Sequence, residues 1–314
     1  MLLSRVANAC YWLSRYQERA EFTARVVDVN LFTLLDVSRT VASVELDWMP
    51  ILHINGCTEL FGSDKRVFTQ ANVLECLCLE TANTNAIAAC IRTARENARQ
   101  AREQISSEMW EQINDMYHEV QHLTATTLFD HPHEVLQSIK SGALLLQGLA
   151  DQTMMHGEAW HFIQLGRYIE RANTTCRLLA ARIDPSQQPG ELYRDTVHWI
   201  AVLKCASSLE AYHKTYLAPV SATETIEFLL LDEDSPRSIL FCLANVLRSL
   251  EFISGRTGRR FGSEAERLAG QLSSRLHYLR IEDIDLASFL AEMQGGLHSI
   301  SDSITQNYFA YEVA

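Results

Sequence analysis

The sequence predicts an all-α protein, an internally duplicated helical bundle whose two similar halves pack with pseudo-two-fold symmetry. Apolar residues recur at helical spacing along most of the 314 residues, and only 13 Gly and 6 Pro interrupt them. An eleven-residue motif also occurs twice. With 47% hydrophobic and 21% charged residues, the composition is that of a globular protein with a substantial core.

The repeated motif reads R-Y-x-E-R-A-x-x-T-x-R and begins at Arg15 and again at Arg167, so the offset is 167 − 15 = 152 residues. Seven of its eleven positions are identical in the two copies. Other features recur at nearly the same offset, which is typical of an internal duplication. We therefore expect a first helical repeat over residues 1–153 and a second over 154–314, packed as one compact unit.

The first half is expected to contain six helices in order. They cover approximately residues 3–37, 41–61, 73–79, 86–104, 109–128 and 134–154. Ser106 is the expected N-cap of the fifth of them. The second half is expected to repeat this plan, so residues 184–190 are predicted to form a turn and not a linker between domains.

The charge of the chain limits its partners. A net charge of −12 argues against nucleic acid, whose phosphates require a basic surface, and against anionic membranes. No stretch approaches the ~20 apolar residues of a membrane span, and the start does not resemble a signal peptide. The eight cysteines lack a CxxC motif, which favours buried reduced thiols. We expect a cytoplasmic protein without nucleic-acid or membrane partners and without a cofactor.

The two motif copies are the main candidate site. Their polar residues are Arg15, Tyr16, Glu18, Arg19 and Arg25 in the first copy, and Arg167, Tyr168, Glu170, Arg171 and Arg177 in the second. Residues three and four apart are neighbours on a helix, so each copy is a compact cluster with more arginines than carboxylates. Such guanidinium groups suit bidentate binding of a carboxylate or phosphate.

A structural role for the motif is the other interpretation. Glu18 would pair with Arg171, and Glu170 with Arg19, fixing the register of two neighbouring helices at some desolvation cost. Arginine is a poor general base and no nucleophile accompanies the motif, so no catalytic residue is predicted.

A second candidate is a row of arginines with spacings of three, four and three, which places them on one helix face. They are Arg92, Arg95, Arg99 and Arg102. In an acidic chain this row could receive an acidic partner surface, a nucleotide phosphate or a peptide carboxylate, or form a solvated face paired with Glu96 and Glu103. The aligned second-half helix has only Arg248, so the row is not part of the duplicated plan and is predicted to be a partner-docking face.

His118-Glu-Val-Gln-His122 matches the H-E-x-x-H pattern, in which two histidines bind zinc and the glutamate, here Glu119, acts as base. The third ligand of the metzincin pattern is missing. We expect surface or packing histidines and no metal site, with zinc binding by His118 and His122 as the alternative.

The opening residues Met1-Leu-Leu-Ser-Arg-Val-Ala, the pair Tyr11-Trp12 and the stretch Arg15-Tyr-Gln-Glu-Arg-Ala-Glu resemble the alpha-E family, a bacterial all-helical domain with a Glu-Arg motif. The resemblance continues through Ala94-Arg-Glu-Asn-Ala-Arg99 and Met109-Trp-Glu-Gln-Ile-Asn114, and covers essentially the whole chain. By position, the hallmark residues are Glu18, Arg19, Glu170 and Arg171.

The resemblance implies a function through its usual neighbours. Members are typically encoded beside, or fused to, circularly permuted ATP-grasp amide ligases, often near transglutaminase-like proteins. It therefore implies a non-catalytic helper or scaffold for an ATP-grasp-type amide ligase in peptide synthesis or peptide tagging, with a transglutaminase-like protein as a second partner. The alternative is an enzyme in its own right, either a zinc-dependent hydrolase or a ligase acting through the Glu-Arg clusters.

Overall fold

The protein is all-α, as the sequence predicts. The structure, a computed structural model, describes residues 2–38, 48–63, 69–183, 192–255 and 261–310. These residues form fifteen α-helices, one 3₁₀ turn (Ile281–Asp283), one π-helical turn (Thr305–Phe309) and no β-strand. In chain order the helices are α1 (Ser4–Ser38), α2 (Met49–Ile54), α3 (Thr58–Ser63), α4 (Gln70–Cys78), α5 (Ile87–Gln100), α6 (Ser107–His122), α7 (Ala125–Asp130), α8 (Pro132–Thr153), α9 (Glu158–Ile183), α10 (Leu192–Cys205), α11 (Leu209–Thr215), α12 (Ala222–Leu231), α13 (Ile239–Ser254), α14 (Glu264–His277) and α15 (Leu286–Ile304).

Side-chain caps explain where many of these helices begin. Seven start after a Ser, Thr or Asp whose side-chain oxygen accepts a hydrogen bond from the backbone N–H three residues on, which satisfies one of the unpaired donors of the first turn. These capping residues are Thr69, Ser106, Thr124, Ser221, Ser238, Ser263 and Asp285. The predicted cap at Ser106 is confirmed, with Met109 N at 3.2 Å.

Three predicted helices have different bounds in the structure. The helix expected over 109–128 is two helices, α6 and α7, because Thr124 caps a new start. The helix expected to reach residue 104 ends at Gln100. The helix expected over 41–61 is interrupted at Gly56, whose positive φ ends α2; residues 41–47 of that prediction lie outside the described residues.

The chain forms two compact units. Unit 1 contains residues 1–15 and 155–314, and unit 2 contains residues 16–154. Helix α1 therefore contributes its first three turns to unit 1 and the rest to unit 2. The division into repeats 1–153 and 154–314, and their pseudo-two-fold packing, stay predictions.

Unit 2 is organised around α6, which packs against α5 on one side and α8 on the other, while α4 and α7 contact each other and their neighbours. Its core includes Ile87, Ile91, Ile113 and Leu136, each at most 1% exposed. Burying each such side chain contributes about 1.5–3 kcal/mol to folding.

Unit 1 is organised around α9, which packs against α13 and α15, and α14 packs against the same two helices. The first turns of α1 also cross α9 closely. At Gly166 an added Cβ would overlap the carbonyl oxygen of Tyr11 and lie 3.1 Å from its carbonyl carbon. Only glycine permits this approach of the two backbones.

The two units share a local structure at an offset one residue shorter than that of the motif. Gly56 after α2 and Ser207 after α10 have positive φ angles of 68° and 50°, and they are 207 − 56 = 151 residues apart. The following residue donates to the carbonyl of Leu52 in one unit and of Leu203 in the other, both at 2.8 Å. This likeness supports the internal duplication, which we keep as a proposal.

Two further predictions concern burial and the membrane. All eight cysteines are buried as free thiols, which confirms the prediction of reduced core cysteines. Among the described residues, no helix combines the length and the hydropathy that crossing a bilayer requires.

Candidate functional site

The first motif copy lies on α1, with its carboxylate inside unit 2. Glu18 is 0% exposed and accepts a hydrogen bond from Gln147 Nε2 at 2.9 Å. The guanidinium of Arg19 lies over the ring of Tyr16, 5.5 Å from its centroid, and donates from Nη1 to Asn85 Oδ1 at 2.8 Å. The stacked tyrosine thus orients the arginine toward the loop that precedes α5.

That loop is built from asparagine side chains. Asn83 Nδ2 donates to the carbonyl of Cys76 at 2.8 Å, and Asn83 Oδ1 accepts from the backbone N–H of Asn85 at 3.0 Å. One turn beyond Arg19, Thr23 Oγ1 donates to Asn55 Oδ1 at 2.8 Å. Two motif residues therefore hold two connecting loops of unit 2 in place.

The second motif copy lies on α9 in unit 1, and its carboxylate pairs with the first arginine of the other copy. Glu170 is 0% exposed and accepts from Arg15 Nε at 2.8 Å. Arg15 also donates from Nη1 to Ser301 Oγ at 2.9 Å and to Tyr11 Oη at 3.1 Å, and its guanidinium lies 4.9 Å from the Trp12 ring. Arg15 is 7% exposed, so this is a buried, hydrogen-bonded ion pair.

The remaining residues of the second copy repeat the scheme of the first. Arg171 lies 5.6 Å from the Tyr168 ring and donates to the carbonyl of Pro236 at 3.3 Å. Thr175 Oγ1 donates to the carbonyl of Arg237 at 3.0 Å. Both acceptors belong to the loop that precedes α13, the counterpart of the loop before α5. In each unit the motif arginine and threonine therefore bind loop residues.

The outer motif arginines have other surroundings. Arg25 donates from Nε to Glu21 Oε1 at 2.7 Å, and Glu21 is fully buried. Arg167 is buried, while Arg177 is half-buried and lies next to Cys176. Burial raises the pKa of the Cys176 thiol strongly, and the nearby Arg177 charge only partly opposes this. The thiol therefore stays protonated and unreactive.

The structure thus gives the motif carboxylates partners that the sequence did not suggest, namely Gln147 for Glu18 and Arg15 for Glu170. Predicted pairs of Glu18 with Arg171 and of Glu170 with Arg19 stay predictions. Buried carboxylates that accept charge-assisted hydrogen bonds are well suited to fixing helix positions.

The four residues of the arginine row differ in their contacts and exposure. Arg95 contacts α6: its Nε donates to Asn114 Oδ1 at 2.6 Å, and its guanidinium lies 4.5 Å from the centroid of the Tyr117 ring. The other three members are exposed: Arg92, Arg99 and Arg102. Arg102 follows the end of α5 and lies 5.7 Å from the Trp110 ring.

The H-E-x-x-H residues lie on the exposed face of α6. His118, Glu119 and His122 are all exposed. Within the described ranges, no group of three or more His, Cys, Asp or Glu side chains is arranged to hold a metal ion.

Sequence reasoning missed a charged cluster in unit 2. Asp28 of α1 is 4% exposed and accepts from His133 Nδ1 at 2.8 Å and from Lys140 Nζ, both on α8. His133 and Lys140 are seven residues apart, two turns along one helix face, which is a signal that they share a neighbour. Nothing in the sequence identifies that neighbour as Asp28.

A buried histidine in unit 1 was also missed. His161 stacks on Phe252 at 4.0 Å between ring centroids and meets the edge of Trp160 at 4.9 Å. Burial, with a smaller contribution from the charge of His156, lowers the pKa of His161 from 6.5 to about 4. The imidazole is therefore neutral at neutral pH.

The fold and the motif together define a class of all-helical protein that has two Glu-Arg motifs, each on a long helix and each with a buried glutamate. Comparison with known proteins gives the family. The chain belongs to the Alpha-E family, described as a predicted alpha-helical domain with a conserved ER motif, and the match covers residues 2–309.

Curated relatives that match the chain are much longer than it is. An uncharacterized protein of Mycobacterium bovis and two from strains of Mycobacterium tuberculosis are each 23% identical to it. The alignment covers 98% of this chain but 37% of each relative. No solved structure matches the chain significantly.

Proposed function

We propose that this protein is a non-catalytic helper or scaffold for an ATP-grasp-type amide ligase in a peptide synthesis or peptide-tagging system. The burial of its hallmark charges carries this proposal. A group that reacts with a substrate must reach it, whereas Glu18 and Glu170 have no exposed surface and bind groups of the protein itself. Arg19 and Arg171 are engaged by the loops before α5 and α13.

The motif therefore supports the shape of the protein, and its function is expected at the surface. The arginines of the α5 face are the exposed groups best suited to bind a carboxylate or phosphate of a partner. The acidic composition and the buried reduced cysteines agree with a cytoplasmic location.

The length of the relatives is a second line of support. In the mycobacterial proteins more than half of the chain lies outside the matched region. In those relatives the matched region is thus joined to further sequence, an arrangement suited to a domain that assists another one. The ligase, and a transglutaminase-like protein as a second partner, follow from the family resemblance.

Co-purification tests the proposal directly. The chain is co-expressed with a candidate ATP-grasp-type amide ligase, and the mixture is analysed by size-exclusion chromatography at micromolar concentration. We expect co-elution and a faster or more complete amide-forming reaction when the chain is present. An unrelated ATP-grasp enzyme serves as the control. Separate elution, with ligase turnover unchanged by the added chain, would contradict the proposal.

A further inference from the structure

Helix α5 and the turn that follows it expose three arginines along one edge. Arg92, Arg99 and Arg102 are exposed there, and the half-buried Trp110 lies beside them. We call these four residues the arginine face. Glu96 and Glu103 lie among these arginines, so the arginine face is a local row of guanidinium groups within an acidic chain of net charge −12.

Two of these arginines have guanidinium groups that remain available for a ligand. Arg102 lies over Trp110, yet among the described residues its N–H groups have no acceptor. Arg92 likewise makes no hydrogen bond or ion pair within the described part of the chain. Stacking on an aromatic ring restrains a guanidinium plane while leaving its N–H edge exposed, so Arg102 is ready to bind a carboxylate in a bidentate manner.

Neighbouring residues connect the two helices at this surface. Arg95 joins α5 to α6 through Asn114 and the Tyr117 ring, and Glu96 lies within ion-pair distance of both Arg95 (3.3 Å) and Arg99 (2.9 Å). Arg95 is therefore a positioning residue. Arg99 remains 67% exposed despite its pairing, so a second carboxylate can still approach it.

The equivalent positions of α13, all of them among the described residues, carry no arginine. At the offset of 152 residues, the counterparts of Arg92, Arg99 and Arg102 on α13 are Ala244, Glu251 and Ser254. The core that packs α5 and α13 is apolar in both units, but α13 exposes only Arg248, at a position that does not match any member of the arginine face. Packing alone therefore does not require them.

We infer that the arginine face is a docking surface for an acidic segment of a partner protein. Arg92 and Arg102 are ten residues apart, and because Arg102 lies just past the end of α5 their separation is at most about 15 Å along the helix axis. An extended segment covers that distance with roughly five residues, so carboxylates four or five positions apart would reach both arginines. A short segment contacts only this face, whereas a longer polyanion such as a nucleic acid would also meet the acidic surface around it.

This inference rests on the proposed function and deepens it, because it names the class of segment that the arginine face binds. The test uses the full chain and a fluorescein-labelled hexaglutamate peptide, with binding followed by fluorescence anisotropy. Hexaglutamine is the uncharged comparison. We expect hexaglutamate to bind and added salt to weaken it, since the contact is between exposed charges.

Variants localise the binding. The double variant Arg92→Glu/Arg102→Glu should weaken hexaglutamate binding at least about tenfold, because two charge-assisted contacts become repulsive. Arg248→Glu, an exposed arginine on α13, is the matched control and should leave binding unchanged. Circular dichroism and melting curves confirm that both variants fold.

Three results would overturn the inference. They are no anisotropy change with hexaglutamate at millimolar protein, equal binding by the double variant, and tighter binding of a single-stranded oligonucleotide at the same residues. The proposed function is tested separately by the ligase complex. Hexaglutamate binding without a ligase complex refutes only the ligase proposal. If hexaglutamate does not bind, and the double variant still forms the ligase complex, only the docking surface is refuted.

Discussion

Replacement of Gly166 by alanine tests the helix crossing on which the second motif depends. The added Cβ would lie closer than 3.0 Å to the carbonyl oxygen of Tyr11, a distance that real Cβ atoms essentially never show, and 3.3 Å from Arg15 Cγ. The obstacle is backbone inside a helix, so it cannot rotate away as a side chain would. The two helices must therefore separate by something on the order of 1 Å to restore van der Waals contact.

The loss in the free energy of unfolding that this separation causes depends on the groups next to Gly166. Overpacking by one methyl typically costs 1–3 kcal/mol. Here a rigid obstacle and the nearby hydrogen bond from Arg15 to Glu170, 2.8 Å long, place the expected loss at the upper end, about 3 kcal/mol. Urea denaturation followed by circular dichroism measures the loss directly. In thermal melts it corresponds to a decrease of roughly 6–12 °C.

A matched control lies in the same unit. Gly295 is in α15, and a Cβ there would meet no atom within 4 Å. Gly295→Ala should therefore stabilise the helix by up to about 1 kcal/mol, since alanine has the higher helix propensity. If Gly166→Ala were as stable as the wild type, or if both alanine variants changed stability by the same amount, the close crossing of α1 and α9 would be wrong.

Four further predictions concern buried charges and histidines. Asp28→Asn should destabilise the protein by about 3 kcal/mol, because it leaves the ammonium of Lys140 buried without its carboxylate, and adding Lys140→Met should restore most of that loss in urea titrations. Glu170→Gln should lower the melting temperature for the same reason; an unchanged melting temperature with loss of an anion ligand would instead favour a binding role for the motif. The pKa of His161 in the fold, about 4, is below its usual 6.5, so the unfolded chain takes up the proton first. Stability should therefore decrease as pH falls from 6.5 to about 4, and His161→Phe should flatten this dependence, which pH-dependent urea midpoints would show. His118→Ala should leave the zinc content of the purified protein unchanged by elemental analysis, and a stoichiometric decrease would revive the zinc-hydrolase alternative.

The helices and the fold class could be predicted from sequence because they depend on local signals. Helical periodicity identified α1 to within a residue at each end, and Ser106 marked the start of α6. The second motif copy lies on a long helix, α9, like the first copy on α1. The errors arose where a short polar segment restarts a helix, as Thr124 does before α7.

The partners of the buried charges could not be predicted in the same way. Arg15 and Glu18 are three apart and were grouped as one cluster, yet Arg15 binds Glu170, 155 residues away, and Glu18 binds Gln147. A helix places both side chains within reach of each other, but long-range packing decides which neighbour each one meets. Asp28 and Lys140 are a similar case, since two ordinary helix residues become an ion pair only after α8 packs on α1.

Comparison of the two motif copies distinguishes contacts that occur in both units from features that occur in only one unit. In each unit a tyrosine-stacked arginine reaches the loop before the next long helix, with Arg19 contacting Asn85 and Arg171 contacting Pro236. A contact that occurs in both units cannot by itself explain a property found in only one of them. The exposed arginines of α5 are such a property, because α13 has none at the same positions. Substitutions in the motif should therefore change stability in either unit, whereas substitutions on the arginine face should change binding and leave stability nearly unaltered.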